Sequence, residues 1–393
     1  MLLSASEKIV GIIERTLNLV DNRLVDHGKR VAYRVFKKLY PLASYSQKEL
    51  RDICMLALLH DIGAYKTEDV NNIVSFDTEY TWSHSIYGYL FLRHFSPLAE
   101  LAPIILFHHG EPHQMGALDE KQRELSLLFK NCDRYDISTF VGEESCRSDI
   151  NPDADEDFLE LFKCSPYCTE DIESYIKMIV YCIDFRSPQT LLHTFAASFV
   201  AESLANYAGY GSLDIEKVKT GAMMHDIGKM GTPLHILEST SGKLSPADME
   251  VMRNHILGSR EVLSGCVNDE VFGIAVNHHE RLNGKGYPNR LKGSELKPLE
   301  KLMAVADLFS ALCVSRSYQK AKPKEKALHI LGSMKSHGLL DNGFIDLAIK
   351  HYDEITVSLH IQSEPVIKAY EEIRNEFFLL NSRFARGEYD YET

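Results

Sequence analysis

Residues His225 and Asp226, in the stretch AMMHDIGKMGTP, are followed about fifty residues later by His278-His279-Glu280 and then by Gly284-Lys285-Gly286-Tyr287-Pro288. Imidazoles and carboxylates gathered in this way hold divalent metal ions, and paired metals are a common means of breaking phosphoesters. His193, His255 and Asp307 extend the set to seven ligand-type side chains. Such a mixed set suits iron or manganese, with zinc, cobalt or nickel as further candidates, better than magnesium or calcium. If Asp226 or Asp307 bridges, the set is large enough for two ions.

The same order occurs upstream: His27, His60-Asp61, His84, His108-His109 and Asp133. Matching positions lie about 165 to 175 residues apart, and their contexts agree, with CMLALLHDIG against TGAMMHDIG and IILFHHGE against IAVNHHER. A lone histidine on an apolar helix face is usually a core residue, and His235, His329, His337, His351 and His360 are read that way. Seven ligand types repeated in one order are not, and they indicate an internal duplication. The upstream set is a candidate second metal site.

Helices must position these side chains. In LVDHGKRVAYRVFKKLY, Val31, Val35 and Leu39 recur every four residues with Lys29, Arg30, Lys37 and Lys38 opposite, and LLHTFAASFVAESLANYAG behaves similarly. Alternating strand-like runs are scarce, so the expected fold is all-α. A histidine and an aspartate adjacent in a helix point about 100° apart, so one helix could offer both to one centre while others supply the rest. The expected organisation is a first domain at 1–145, a linker and connecting helix at 146–186, a second domain at 187–350, and a C-terminal helical extension at 351–393. The acidic linker around Gly142 and Pro152 reads as an exposed connection, with a helix from about Asp171 leading onward.

Composition narrows the function. Forty-three basic against 56 acidic residues give a net charge of −13, which disfavours a long nucleic-acid partner but leaves room for a small anionic ligand. The eight cysteines show no CxxC pair or framework spacing and read as free thiols. The N-terminal stretch MLLSASEKIVGIIERTLNLV is interrupted by Glu7, Lys8, Glu14 and Arg15, as in an amphipathic helix rather than a membrane span. A cytoplasmic protein without a membrane partner is expected.

From about Ser187 to Phe344 the chain resembles the HD-GYP phosphodiesterases: the His193 helix, HDIGK, KLSPADMEVMRNH, HHERLNGKGYP, LKGSEL, VADLFSAL and SRSYQKA all match. The resemblance implies two tandem HD-type helical bundles, the second with the GYP loop, plus a C-terminal helical tail. It implies metal-dependent opening of a cyclic dinucleotide, cyclic di-GMP or cyclic GMP-AMP, to the linear 5′-phosphorylated form in bacterial second-messenger signalling. It also assigns roles: His193, His225, Asp226, His255, His278, His279 and Asp307 as ligands to two divalent ions, Asp226 and Lys229 as catalytic, and Arg281, Gly286, Tyr287, Pro288, Arg316 and Lys320 as substrate contacts. Gln189 stands where some members carry a glutamate ligand to a third metal, so two ions are favoured. Asn283 and Ser310 replace aspartates common in the family.

The upstream half resembles only the broader HD superfamily. Ala64 stands where Lys229 stands downstream, and GEPHQMGALDE follows His109 in place of the loop. A degenerate duplicate with a structural, regulatory or partner-docking role is expected, through which a homodimer or a signalling partner could engage. The alternatives to the enzyme are a non-catalytic cyclic-dinucleotide sensor, which intact Asp226, Lys229 and Asp307 oppose, and a different phosphohydrolase acting on linear nucleotides, which the GYP loop opposes.

Overall fold

The computed structural model describes residues 6–20, 25–64, 82–141, 151–185, 192–237, 239, 244–313 and 323–391. Among these residues the chain is helical, without strands; a single antiparallel bridge joins Asn283 and Lys292. The residues divide into two units, one of Ser4–Cys182 with Tyr370–Thr393 and one of Met1–Leu3 with Ile183–Ala369. They are called below the first and second unit.

In the first unit, the amphipathic His27–Leu39 helix buries Val31, Val35, Phe36 and Leu39. The Gln47–Leu58 helix beside it starts at a capping box, in which the Ser46 hydroxyl accepts from the Glu49 N–H while the Glu49 carboxylate accepts from the Ser46 N–H. Helices Trp82–Phe95, Ala102–Leu106 and Glu120–Val141 complete the surround of the upstream histidines. The connecting helix expected from about Asp171 is present as Thr169–Asp184, and the acidic stretch before it, expected to be exposed, carries a further helix, Glu156–Cys164, with Phe158 and Leu161 buried as are Tyr175 and Ile179. The regular burial of these apolar side chains outweighs the acidity of the intervening positions. Asp155 caps the Glu156–Cys164 helix and also accepts from Tyr33 at 2.8 Å, so the acidic residues serve as anchors.

In the second unit, the His193–Tyr207 helix packs on Ser212–Met224 and Pro298–Cys313. Val200, Leu204, Val218, Ala222, Ile274, Leu302, Val305 and Phe309 form its core. Burying each large apolar side chain of this kind contributes about 1.5–3 kcal/mol.

The 34-residue helix Tyr352–Ala385 is divided between the two units after Ala369. Its later part belongs with the first unit. Phe377 stacks on Tyr87 at 3.9 Å, Trp82 meets Phe384 edge-on at 4.7 Å, and Arg93 pairs with Glu376 at 2.8 Å.

Candidate metal centre

The HD doublet sits at a helix end, not within a helix. His225 follows the Ser212–Met224 helix, and Asp226 opens a 3-10 turn over Ile227–Gly231. The cause is Gly228: a Cβ there would lie 2.0 Å from the His255 carbonyl oxygen and 2.4 Å from the Ser259 nitrogen. The helix carrying the third histidine, His255–Leu263, therefore touches the turn backbone to backbone. Ser259 closes the contact, accepting from the Gly228 N–H at 3.0 Å and donating to the His225 carbonyl at 2.8 Å.

All seven downstream ligand candidates converge. His193, His225 and Asp307 form one group with ligand atoms within 4.8 Å of each other, and His255, His278 and His279 form another. Asp226 lies between: its Oδ2 is 3.0 Å from His225 Nε2 and 3.4 Å from His193 Nε2, while its Oδ1 is 3.3 Å from His255 Nε2. Asp307 reaches His193 at 3.2 Å with one oxygen and His279 at 3.7 Å with the other.

The imidazoles are fixed by their far nitrogens. His225, His255 and His278 each donate Nδ1–H to the backbone carbonyl three residues earlier, at 2.7, 2.5 and 2.6 Å. A carbonyl only accepts, so the proton is on Nδ1 and the Nε2 lone pair faces the centre. Those three Nε2 atoms and Asp226 Oδ1 are buried and make no hydrogen bond. Buried acceptors left in this state cost free energy unless something electron-poor meets them. A divalent cation does so, and the residues present fit one.

Burial pulls His255 down to about 4 and His279 down to about 3, and holds His278 well below its ordinary value, so these three rings are neutral and able to ligate. Burial acts on His225 too, but Asp226 outweighs it and raises that ring above its ordinary value. Burial pushes Asp226 up, but His225 and Lys229 outweigh it and keep the carboxyl well below its usual range. Asp307 is held down likewise by His193 and His279 against its burial.

The substrate-side residues surround this cluster. Lys229 Nζ lies 2.5 Å from Asp226 Oδ2. Tyr287 rests against His279, ring centroids 4.7 Å apart, with the Arg253 guanidinium 5.2 Å from its centroid. The Tyr287–Pro288 peptide is cis. Gly286 passes so close to Glu280 and Arg281 that a Cβ would lie 2.4 Å from the Arg281 nitrogen. Arg281 donates to the His278 and Glu280 carbonyls at 3.3 and 2.9 Å. Gln189, Arg316 and Lys320 lie outside the described residues.

Three further residues contribute, and none of them had been given a role from the sequence. Glu280, 1% exposed, accepts the N–H groups of Asn289 and Leu291 at 2.7 and 3.0 Å and so folds the glycine loop back on the histidines. Ser259 fixes the HD turn, and Arg253 covers Tyr287. Glu280 adjoins the histidine doublet in sequence, which is the one hint available; the other two act through tertiary contacts only.

The upstream residues converge as well. His27, His60 and Asp133 form one group, and Asp61, His84, His108 and His109 another. Asp61 Oδ2 faces His60 at 3.3 Å and His27 at 3.7 Å, while its Oδ1 faces His84 at 3.7 Å and His108 at 3.8 Å. Gly63 repeats the close contact of Gly228, its Cβ position 2.1 Å from the His84 carbonyl oxygen. Buried Ala64 offers no cation.

Comparison with known proteins agrees with this duplication. Two family models, each described as an HD domain, match residues 27–138 and 179–343. The chain is 26% identical to 3'3'-cGAMP-specific phosphodiesterase 1 of Vibrio cholerae, over 86% of this chain and 90% of that protein. It is 32% identical to a cyclic di-GMP phosphodiesterase of Thermotoga maritima, over 44% of this chain and 47% of that protein. A crystal structure of a V. cholerae cyclic GMP-AMP-specific phosphodiesterase aligns with a TM-score of 0.52 at 16% identity, covering 91% of this chain and 97% of the other, a likeness of fold. No described helix is long and apolar enough to cross a membrane. With its two HD domains, the second bearing the HHE and GYP residues around the cluster, the chain belongs to the HD-GYP family.

Proposed function

We propose that the second unit is a metal-dependent phosphodiesterase that opens a cyclic dinucleotide, cyclic di-GMP or cyclic GMP-AMP, to the linear 5′-phosphorylated dinucleotide. The observation that carries this reading is the meeting of two ligand groups on Asp226, with Lys229 alongside. The names of the relatives supply the substrate class. His193, His225 and Asp307 would hold one ion and His255, His278 and His279 the other, with Asp226 common to both. Iron or manganese fits this imidazole-rich set best. When bound, such a pair supplies an acidified water and neutralises charge gathering on phosphorus.

The side chains do the rest. Water adds to one phosphorus, the bond to the 3′-oxygen breaks, and that oxygen leaves as a hydroxyl. Lys229, held at the rim by Asp226, offsets negative charge on the phosphoryl oxygens as the bond breaks. Tyr287 gives a flat surface beside His279 on which a base can lie, and burial keeps its hydroxyl protonated. Arg281 adds positive charge next to the loop, while Gly286 and Pro288 shape its return. This reading makes the protein part of bacterial second-messenger turnover, with the cytoplasm as its proposed setting.

The test is turnover of cyclic di-GMP and cyclic GMP-AMP by protein loaded anaerobically with Fe(II) or Mn(II). Wild type should release the linear product, and Asp226→Ala should lose turnover together with the metal of the second unit. Lys229→Ala should keep its metal and lose about 100-fold in kcat. Tight binding of either nucleotide by metal-loaded wild type without turnover would turn the reading to a sensor.

A further inference from the structure

The first unit lacks the lysine and the glycine loop, yet its seven ligand candidates also gather into groups whose ligand atoms lie within 4.8 Å of one another. Among those candidates, the buried atoms without a hydrogen bond include His60 Nε2, His108 Nε2 and both carboxylate oxygens of Asp61, while His27 Nε2 stands 3.1 Å from Asp133 Oδ1. Ionised carboxylates buried in this way are strongly unfavourable without a cation. The orienting ties recur too. His60 and His108 donate Nδ1–H to the carbonyls of Ala57 and Ile105 at 2.8 and 2.6 Å, which aims each Nε2 at the cluster.

One element differs between the two clusters, and it favours the first. His27 Nδ1 lies 3.0 Å from a carboxylate oxygen of Asp136, three residues after Asp133. Asp136 is 1% exposed and is itself gripped by Arg30 at 2.8 Å and Arg34 at 3.2 Å. The equivalent place in the second unit, three residues after Asp307, holds Ser310. Its hydroxyl stands 3.4 Å from His193 Nδ1 and donates to the Asp307 carbonyl. A carboxylate behind a ligating histidine fixes the ring and raises its basicity, and such partners are commonly worth 10- to 100-fold in metal affinity.

We propose that the first unit holds its own pair of divalent cations, one at His27, His60 and Asp133 and one at His84, His108 and His109, joined through Asp61. We further propose that Asp136 makes this pair the more tightly retained of the two in the molecule. With Ala64 where the second unit has its lysine, the centre keeps its ions without the phosphate grip. The inference shares with the proposed function only the premise that such clusters bind metal, and its readouts are separate from turnover.

The full chain is stripped, reloaded with Mn(II), passed through gel filtration and assayed for metal per chain. Asp226→Ala should remove the downstream ions and leave about two per chain, while a His60→Ala, Asp133→Ala double variant should remove the upstream ones. During chelation of wild type, manganese should leave in two phases. Asp136→Asn should weaken the slower-leaving population by about 10- to 100-fold and leave the faster one unchanged. Anomalous diffraction from wild-type crystals at the manganese edge needs no variant and should place density in the upstream cluster. Absence of that density, or an Asp226→Ala protein without manganese, overturns the first-unit centre. An Asp136→Asn protein with unaltered chelation overturns the role of Asp136. Loss of turnover with upstream manganese intact would instead count against the proposed function alone.

Discussion

At the scale of single residues, the ligands are set by their own backbone and the loop by one carboxylate. Glu280 receives two backbone N–H groups from the far side of the glycine loop. Bonds to a charged acceptor contribute about 1.5–3 kcal/mol each. Glu280→Gln retains the shape but makes the acceptor neutral and weaker. KM should rise about tenfold, as expected for loss of about 1.4 kcal/mol of binding, with bound metal unchanged. Steady-state kinetics beside metal analysis decides it; an unaltered KM would mean that the loop keeps its place without the charge. The candidate ligands were legible in the sequence because seven histidine and aspartate positions recur in one order. Ser259 and Asp136 were not, and Glu280 was visible only as part of its motif without a role, since each acts on a backbone or ring distant in the chain, or on one across a turn, and no periodicity marks such a contact. Asp136 in particular looks like one acidic residue among many until His27, 109 positions away, is seen against it.

At the scale of elements, the helices follow from apolar spacing and caps, and the sequence reading anticipated those at His27–Leu39 and His193–Tyr207. It placed the HD doublet inside a helix, whereas the helix stops just before. That ending is imposed by the partner helix pressing on Gly228, a tertiary contact that helix periodicity does not encode. Gly228→Ala would drive a methyl into the His255 carbonyl and separate the turn from its neighbour. Overpacking of this kind costs about 1–3 kcal/mol and displaces the ligands at both ends of the contact. Calorimetry should show a lowered Tm and metal analysis a downstream loss; a variant with wild-type values on both would show that the contact can relax freely. The Glu156–Cys164 helix was hidden for a different reason. Its acidic residues suggested solvent, while Phe158, Leu161 and Phe162 are buried.

At the scale of the whole molecule, the duplication was legible, but not the destination of the tail. The sequence reading had the helix after Gly343 either capping the second domain or pairing subunits, whereas its final part supplies aromatic side chains to the first unit. Phe384, 3% exposed, lies against Trp82 and Phe107. Phe384→Ala should therefore destabilise that unit by about 3–5 kcal/mol. Chemical denaturation followed by the fluorescence of Trp82, the one tryptophan, reports on it directly; an unchanged midpoint would remove the tail from the account of stability. The histidine ties have a consequence of their own. A ring bolted through Nδ1 to its own helix cannot slide toward a smaller ion or retreat from a larger one. Among the second unit's candidate ligands, His193 and His279 show no such backbone tie, and the His279 side chain is 20% exposed beside the loop. A difference in ionic radius would therefore be absorbed at His193 and His279, the latter at the edge where Tyr287 rests, so the choice of metal and the fit of the nucleotide would share one ring.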